Sequence, residues 1–145
     1  SGKFAIHEFT RKGAEAWRWK DYLRGIISLK GQEREPLEAL FHKFFELFSA
    51  LQPDKPEPMV NILVNKTEKF WTVHIIPRKQ HRPVRFFDEG KDQLLISPAS
   101  VDLGGVVITP REEDFRKIKA GDISDIFRQV CYTDEEIFHI ISDLK

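Results

Sequence analysis

The stretch "MVNILVNKTEKFWTVHIIP", residues 59–77, decides the class of fold. Two apolar runs rich in β-branched and aromatic residues, "MVNILVN" and "KFWTVHIIP", flank the polar segment "KTE". That pattern predicts two antiparallel strands joined by a hairpin-like loop. Both runs are apolar on both faces, so both are expected at the centre of a sheet.

On the N-terminal side the period changes. Leu37, Leu40, Phe41, Phe44, Phe45, Phe48 and Leu51 recur at three- and four-residue steps, the mark of an amphipathic helix packed on that sheet. Pro36 suits its first turn, where a missing amide hydrogen costs nothing. "QPDKPEP" ends the helix, because three prolines in so short a span cannot continue it. Further upstream, Phe4 to Phe9 and Ile26 to Leu29 read as strands, the second bounded by Gly25 and Gly31. Between them "TRKGAEAWRWKDY" mixes charge with Trp17 and Trp19.

On the C-terminal side, residues 78–93 form a polar loop long enough to suggest a functional segment. "LLIS" and "GGVVIT" read as two more short strands. Thr109, Pro110 and Glu112 fit a capping box before "EEDFRKI". Ile123, Ile126, Phe127 and Val130 describe a second helix face, and Thr133 with Glu136 caps a third carrying Ile137, Ile140, Ile141 and Leu144. The order predicts an α+β domain: a largely antiparallel sheet, a long helix packed on it, and short C-terminal helices.

Composition narrows the function. A chain of 145 residues, 41% hydrophobic, fits a single domain spanning residues 3–145. Ser1-Gly2, without an initiator Met, read as a cloning remnant, and the domain as the C-terminal portion of a longer protein. Lys plus Arg and Asp plus Glu both number 23, so a nucleic-acid or membrane-surface partner is not expected and any anion site is local. One cysteine, Cys131, excludes an internal disulfide and fits a cytoplasmic location. No metal or cofactor is expected, since no Cys or His pair has ligand spacing. No apolar run approaches the roughly 20 residues that span a bilayer.

Arg78, Lys79, His81, Arg82 and Arg85 form the densest basic group, just past a strand end and restrained by Pro77 and Pro83. Guanidinium groups take phosphate bidentately and a lysine adds a point charge, so Arg78, Lys79, His81 and Arg82 are phosphate-binding candidates. The competing reading is a solvated loop neutralised by Asp88, Glu89 and Asp92. His74, inside the strand "WTVHIIP", is either a reactive base or a packed structural histidine. "SPASVDLGGVVITP" brings Ser100, Asp102, Gly104 and Gly105 together as a pocket wall or, equally, as a bulge and turn. His7, His42 and His139 carry no motif. Cys131 has no activating partner in sequence.

Taken together, "NILVN", "WTVHIIPRKQHRP" and "LLISPASVDLGGVVITPREEDFRKI" resemble the C-terminal half of a branch of the histidine-triad-like superfamily. That branch includes diadenosine tetraphosphate phosphorylases, GDP-galactose phosphorylases and galactose-1-phosphate uridylyltransferases, with bacterial relatives that carry a domain of unknown function. The resemblance covers the chain from about Lys3 onward. It implies one of two related α+β halves and a nucleotidylated histidine supplied by a His-x-His-x-Gln motif. This chain reads "HIIPRKQ" there, with Ile76 where the second histidine belongs, so no catalytic residue is carried onto it.

The function this implies is the C-terminal domain of a nucleotidyltransferase or phosphorylase acting on nucleotide sugars or dinucleoside polyphosphates, catalytically incomplete alone. Its partners would be a nucleotide or sugar phosphate, the N-terminal catalytic half of the same protein, and, as one role open to such a half, a second copy in a homodimer. The alternative is a non-catalytic ligand-binding or protein-interaction domain.

Overall fold

A computed structural model describes residues 4–145. The expectations for Ser1-Gly2 and for the start at Lys3 lie outside the described residues. Five antiparallel strands run in the order β1-β2-β3-β5-β4: β1 Ala5–Arg11, β2 Ala14–Trp19, β3 Ile27–Gly31, β4 Val60–Lys66 and β5 Trp71–Pro77. Helix α1, Arg34–Leu51, crosses one face, followed after β5 by α2 Ser100–Leu103, α3 Glu112–Lys117, α4 Ala120–Val130 and α5 Asp134–Ser142. This is the α+β architecture expected, with its long helix and short C-terminal helices.

The first hairpin turns through Lys12 and Gly13, both at positive φ (49° and 87°), the two-residue geometry whose twist matches the flanking strands. It carries the strand β2 that the sequence reading did not assign. In β2, Ala14, Ala16 and Arg18 are buried and alternate with Glu15, Trp17 and Trp19 on the other face. Residues of α1 at three- and four-residue steps, Leu37, Leu40, Phe44 and Phe48, pack on Ala14, Ala16, Ile27, Leu29 and Ile75. Ile137 and Ile141 of α5 join the same core. Full burial of a phenylalanine such as Phe44 contributes about 1.5–3 kcal/mol, so this face supplies much of the stability.

Three sequence expectations change. The hairpin of residues 60–77 is present, but only β5 is internal; β4 forms the sheet edge, with Ile62, Leu63 and Val64 exposed. "LLIS" and "GGVVIT" are not strands. Leu94 and Ile96 are buried in extended, unpaired chain against Ile126, and residues 104–110 follow α2 without pairing. Helix α3 begins after Arg111, so Thr109 does not cap it; Asp114 anchors it instead, accepting from Arg111 Nε at 2.8 Å and from the Leu95 amide at 3.1 Å. The Thr133 cap on α5 is formed, its hydroxyl accepting from the Glu136 amide at 3.2 Å.

A second core lies across the sheet from α1. Ile26, Ile76, Leu103, Phe127, Val130 and Cys131 cluster there, under α2 and α4. These helices cover the face around Ile26 and Ile76, with Trp19 packed at the margin of that core. The rest of that face, carrying Trp17, Trp19, Ser28 and His74, borders an open cavity.

Candidate ligand site

The open part of the sheet is built by strand alternation. Trp17 and Trp19 point to the same side because they stand two apart in β2; Ser28 of β3 pairs with both Trp17 and His74 across the ladder. Together with Phe4, Ala5, Lys30 and Thr72 they wall a cavity of about 260 Å³. Two indole faces beside a hydroxyl and an imidazole suit a flat ring or a sugar, which present apolar faces and polar edges together.

A relay runs along its wall. The Trp19 indole N–H donates to Ser28 Oγ at 2.7 Å, and Ser28 Oγ lies 2.6 Å from His74 Nδ1. Ser28 Oγ also carries a proton of its own, and His74 Nδ1 is the acceptor that proton has among the described residues, so the network favours the neutral imidazole protonated on Nε2. Burial pushes the His74 pKa below the ordinary imidazole value, in keeping with a neutral ring. His74 therefore offers an N–H donor from Nε2, with its basic nitrogen already occupied. With Nδ1 taken up by Ser28 and Nε2 protonated, neither ring nitrogen is free to attack a ligand as a nucleophile.

The basic cluster divides. Arg78 is buried, and its Nη2 donates to the carbonyls of Gln80 (3.2 Å) and His81 (2.8 Å), so it props the loop from within. The loop is held from the other side by Gln52, whose Nε2 donates to Arg78 O at 2.6 Å and whose Oε1 accepts from the Met59 amide. Lys79 pairs with Glu136 at 3.1 Å, and Arg85 with Asp122 at 2.6 Å. His81 and Arg82 remain, exposed and facing a second, open cavity with Gln80, Phe87 and Ser97. Arg82 lies 4.2 Å over the Phe86 ring, which orients its guanidinium without neutralising it. The two cavities share no lining residue.

The segment around Gly104 and Gly105 is a folded brace. The buried Asp102 carboxylate accepts from the amides of Ala99 (2.8 Å) and Ile108 (3.0 Å), closing the chain around α2. Gly105 has φ +113°, a conformation that side chains rarely adopt, which gives this glycine its purpose. Ser100 Oγ accepts from Asn61 Nδ2 at 2.9 Å and ties α2 to β4. None of Ser100, Asp102, Gly104 and Gly105 lines the cavity that holds His74.

The remaining histidines are peripheral: His7 bonds Thr10 at 2.9 Å, and His42 and His139 lie exposed on α1 and α5. Burial pushes the Cys131 thiol up to about 11 despite nearby Arg78, Arg24 and Lys79, so it is not a thiolate at neutral pH. Trp17, Trp19, Ser28, Lys30 and Thr72 were missed as site residues. The signal was present in "AEAWRW", where alternation aligns both tryptophans on one face.

The fold and this face define an α+β domain with one side of its sheet packed and the other kept partly open beneath aromatic side chains. The chain belongs to the GDPGP1-like, C-terminal domain family, whose model matches residues 5–144. This is the C-terminal domain of a GDP-hexose phosphorylase-like family. No curated protein and no solved structure gives a significant match.

Proposed function

We propose that this domain is the ligand-holding, non-nucleophilic part of a phosphorylase-type protein acting on nucleotide sugars. The observation that carries the proposal is the Trp19–Ser28–His74 relay on an open aromatic sheet face, which turns the histidine into a fixed donor. The family membership supports the substrate class.

In the reaction proposed, a histidine elsewhere in the protein bonds to phosphorus and releases a sugar phosphate; a phosphate oxygen then takes the nucleotidyl group and frees the histidine. Splitting the displacement this way makes each step easier, and each passes through added negative charge that positioned donors stabilise. The aromatic face would hold the base or hexose, and His74 Nε2–H would donate to an oxygen at its edge. His81 and Arg82 are the exposed members of the basic group with no carboxylate partner among the described residues, and we assign them to phosphate. Arg78 and Lys79 would act indirectly, by holding the loop that carries the other two.

Amide shifts in the 145-residue chain on titration with a GDP-hexose test this reading. Saturable shifts at Trp17, Trp19, Ser28 and His74 are expected; unchanged spectra at millimolar ligand would overturn it. Turnover of the GDP-hexose by this chain alone would overturn the non-nucleophilic role. Shifts confined to the surface around His81 and Arg82 with an acidic peptide, and none with nucleotide sugar, would favour a protein-interaction domain.

A further inference from the structure

The residues that wall the His74 cavity spend most of their polar groups on one another. The Trp19 indole N–H is taken by Ser28 Oγ at 2.7 Å, and the Trp17 indole N–H by Glu15 Oε2 at 2.9 Å. Both tryptophans therefore offer a ligand their ring faces alone. Ser28 is used up in turn, accepting from Trp19 and bonded to His74 Nδ1. Among the lining side chains, the His74 Nε2–H, the Thr72 hydroxyl and the Lys30 ammonium are left for a ligand.

The ladder gathers these three in one corner. Lys30 of β3 stands directly opposite Thr72 of β5, and His74 follows two residues on, on the same face. Lys30 is the one charged side chain among the described residues that line this cavity. It is also unpaired where a pair is most expected. Glu15 is its direct neighbour across the β2–β3 ladder, yet that carboxylate bonds Trp17, and no carboxylate stands within ion-pair distance of Lys30 among the described residues. The ammonium rests 4.3 Å over the Phe70 ring instead, which orients the charge without neutralising it.

Lys30 also stands at a junction. A second cavity of about 320 Å³ at the end of the sheet, with Lys12, Glu15 and Glu33 in its wall, meets the first at Lys30, the residue that lines both. An aromatic floor thus leads to a cation and then to polar space. His81 and Arg82 belong to a cavity that shares no lining residue with this one. A phosphate attached directly to a ring stacked on Trp17 has to be met locally.

We infer that Lys30 is the specificity-determining residue of the His74 cavity, receiving a phosphate carried by the ring that stacks on Trp17 and Trp19, with Thr72 and His74 as neutral donors to the same group. An ammonium flanked by two neutral donors suits phosphate, whose several oxygens accept at once. The inference rests on the reading of this face as a ligand site and adds what the ligand must carry. A phosphorylated ring is held; its neutral counterpart is passed over.

Two ligand pairs that differ by a phosphate test this: guanosine monophosphate against guanosine, and a hexose phosphate against the free hexose. Each is titrated by NMR into the 145-residue chain and its Lys30→Gln variant. In the parent, at least one phosphorylated ligand is expected to bind about tenfold or more tightly than its neutral partner, and which one tells whether base or hexose stacks here. Lys30→Gln should remove that advantage and leave the neutral ligand as before. Phosphorylated and neutral ligands bound alike by the parent, or an advantage that survives in Lys30→Gln, overturns the inference; saturable shifts at Trp17 and His74 with a GDP-hexose would still keep the ligand site standing. Absence of those shifts takes down both. Should the variant misfold by circular dichroism, the Lys30 Hε–Cε signal of the parent decides. It should move with the phosphorylated ligand and hold still with the neutral one, and any other response overturns the inference.

Discussion

Ser28 Oγ and His74 Nδ1 stand 2.6 Å apart on directly paired residues of β3 and β5, with the Trp19 indole closing the relay at 2.7 Å. Because Ser28 sets the tautomer, Ser28→Ala should release the His74 ring to populate both neutral forms. Imidazole nitrogen shifts in ¹⁵N spectra read this directly: a single Nε2–H form is expected in the parent chain and a mixture in the variant. Stability should fall by roughly 1 kcal/mol, the ordinary net worth of such a bond.

The depressed pKa of His74 also predicts a pH dependence. The unfolded chain takes up a proton near the ordinary imidazole value while the folded one resists, so the unfolded state binds more protons in the window just below that value. Stability should therefore decline as pH falls through this window. Urea denaturation of the parent and His74→Gln at pH 7.5 and 5.5 isolates the contribution, which should vanish in the variant.

Arg78 and Arg82 should behave oppositely. Arg78→Ala strips the donors from two loop carbonyls and empties a buried site, and is expected to cost about 2–3 kcal/mol by denaturation. Arg82→Ala, on an exposed side chain, should change stability by less than about 0.5 kcal/mol while weakening phosphate-bearing ligands in the titration proposed above.

Asp114 receives Arg111 bidentately at 2.8 and 3.0 Å, with the Leu95 amide and Lys117 nearby, and these hold its carboxyl at about 2. Its contribution is present above the usual carboxylate value and lost as pH falls toward about 2. Asp114→Asn should destabilise the chain by roughly 1–3 kcal/mol at neutral pH, and the gap to the parent should narrow in acid, as thermal melts would show.

Gly25 donates its amide to Tyr132 O at 2.6 Å, and a Cβ there would lie 2.4 Å from Ile137 Cγ1 and 2.8 Å from that carbonyl. Gly25→Ala must push α5 off the sheet, and a loss of about 1–3 kcal/mol is expected in equilibrium unfolding.

Much of this fold is legible in sequence because packing writes a period. The apolar residues of α1 and the run of β5 each report the surface they bury. β2 was not legible, since its core-facing residues are two alanines and an arginine, too small or too polar to mark an apolar face. Arg18 is buried through contacts with Glu8 and Asp134 that lie far apart in the chain. "GGVVIT" misled for the converse reason: its β-branched run resembles a strand, yet only Val107 packs against a core, without a strand to pair with, while Val106 and Ile108 are exposed. β4 was placed at the centre because an edge that exposes apolar side chains reads like one that buries them. For the site, His74 and the basic loop stood out by residue type, but the division of the basic cluster depends on partners such as Gln52, Glu136 and Asp122, which only the fold brings near.

Ile75 and Ile76 are neighbours in β5, yet one belongs to the core beneath α1 and the other to the core beneath α4. Slipping β5 by one residue would exchange them and throw His74 to the wrong side of the sheet. The imidazole is thus aimed by two bodies of buried hydrocarbon, neither of which lines the cavity. Substitutions on the open face could retune what is held there while its coordinates stay locked by the cores on either side.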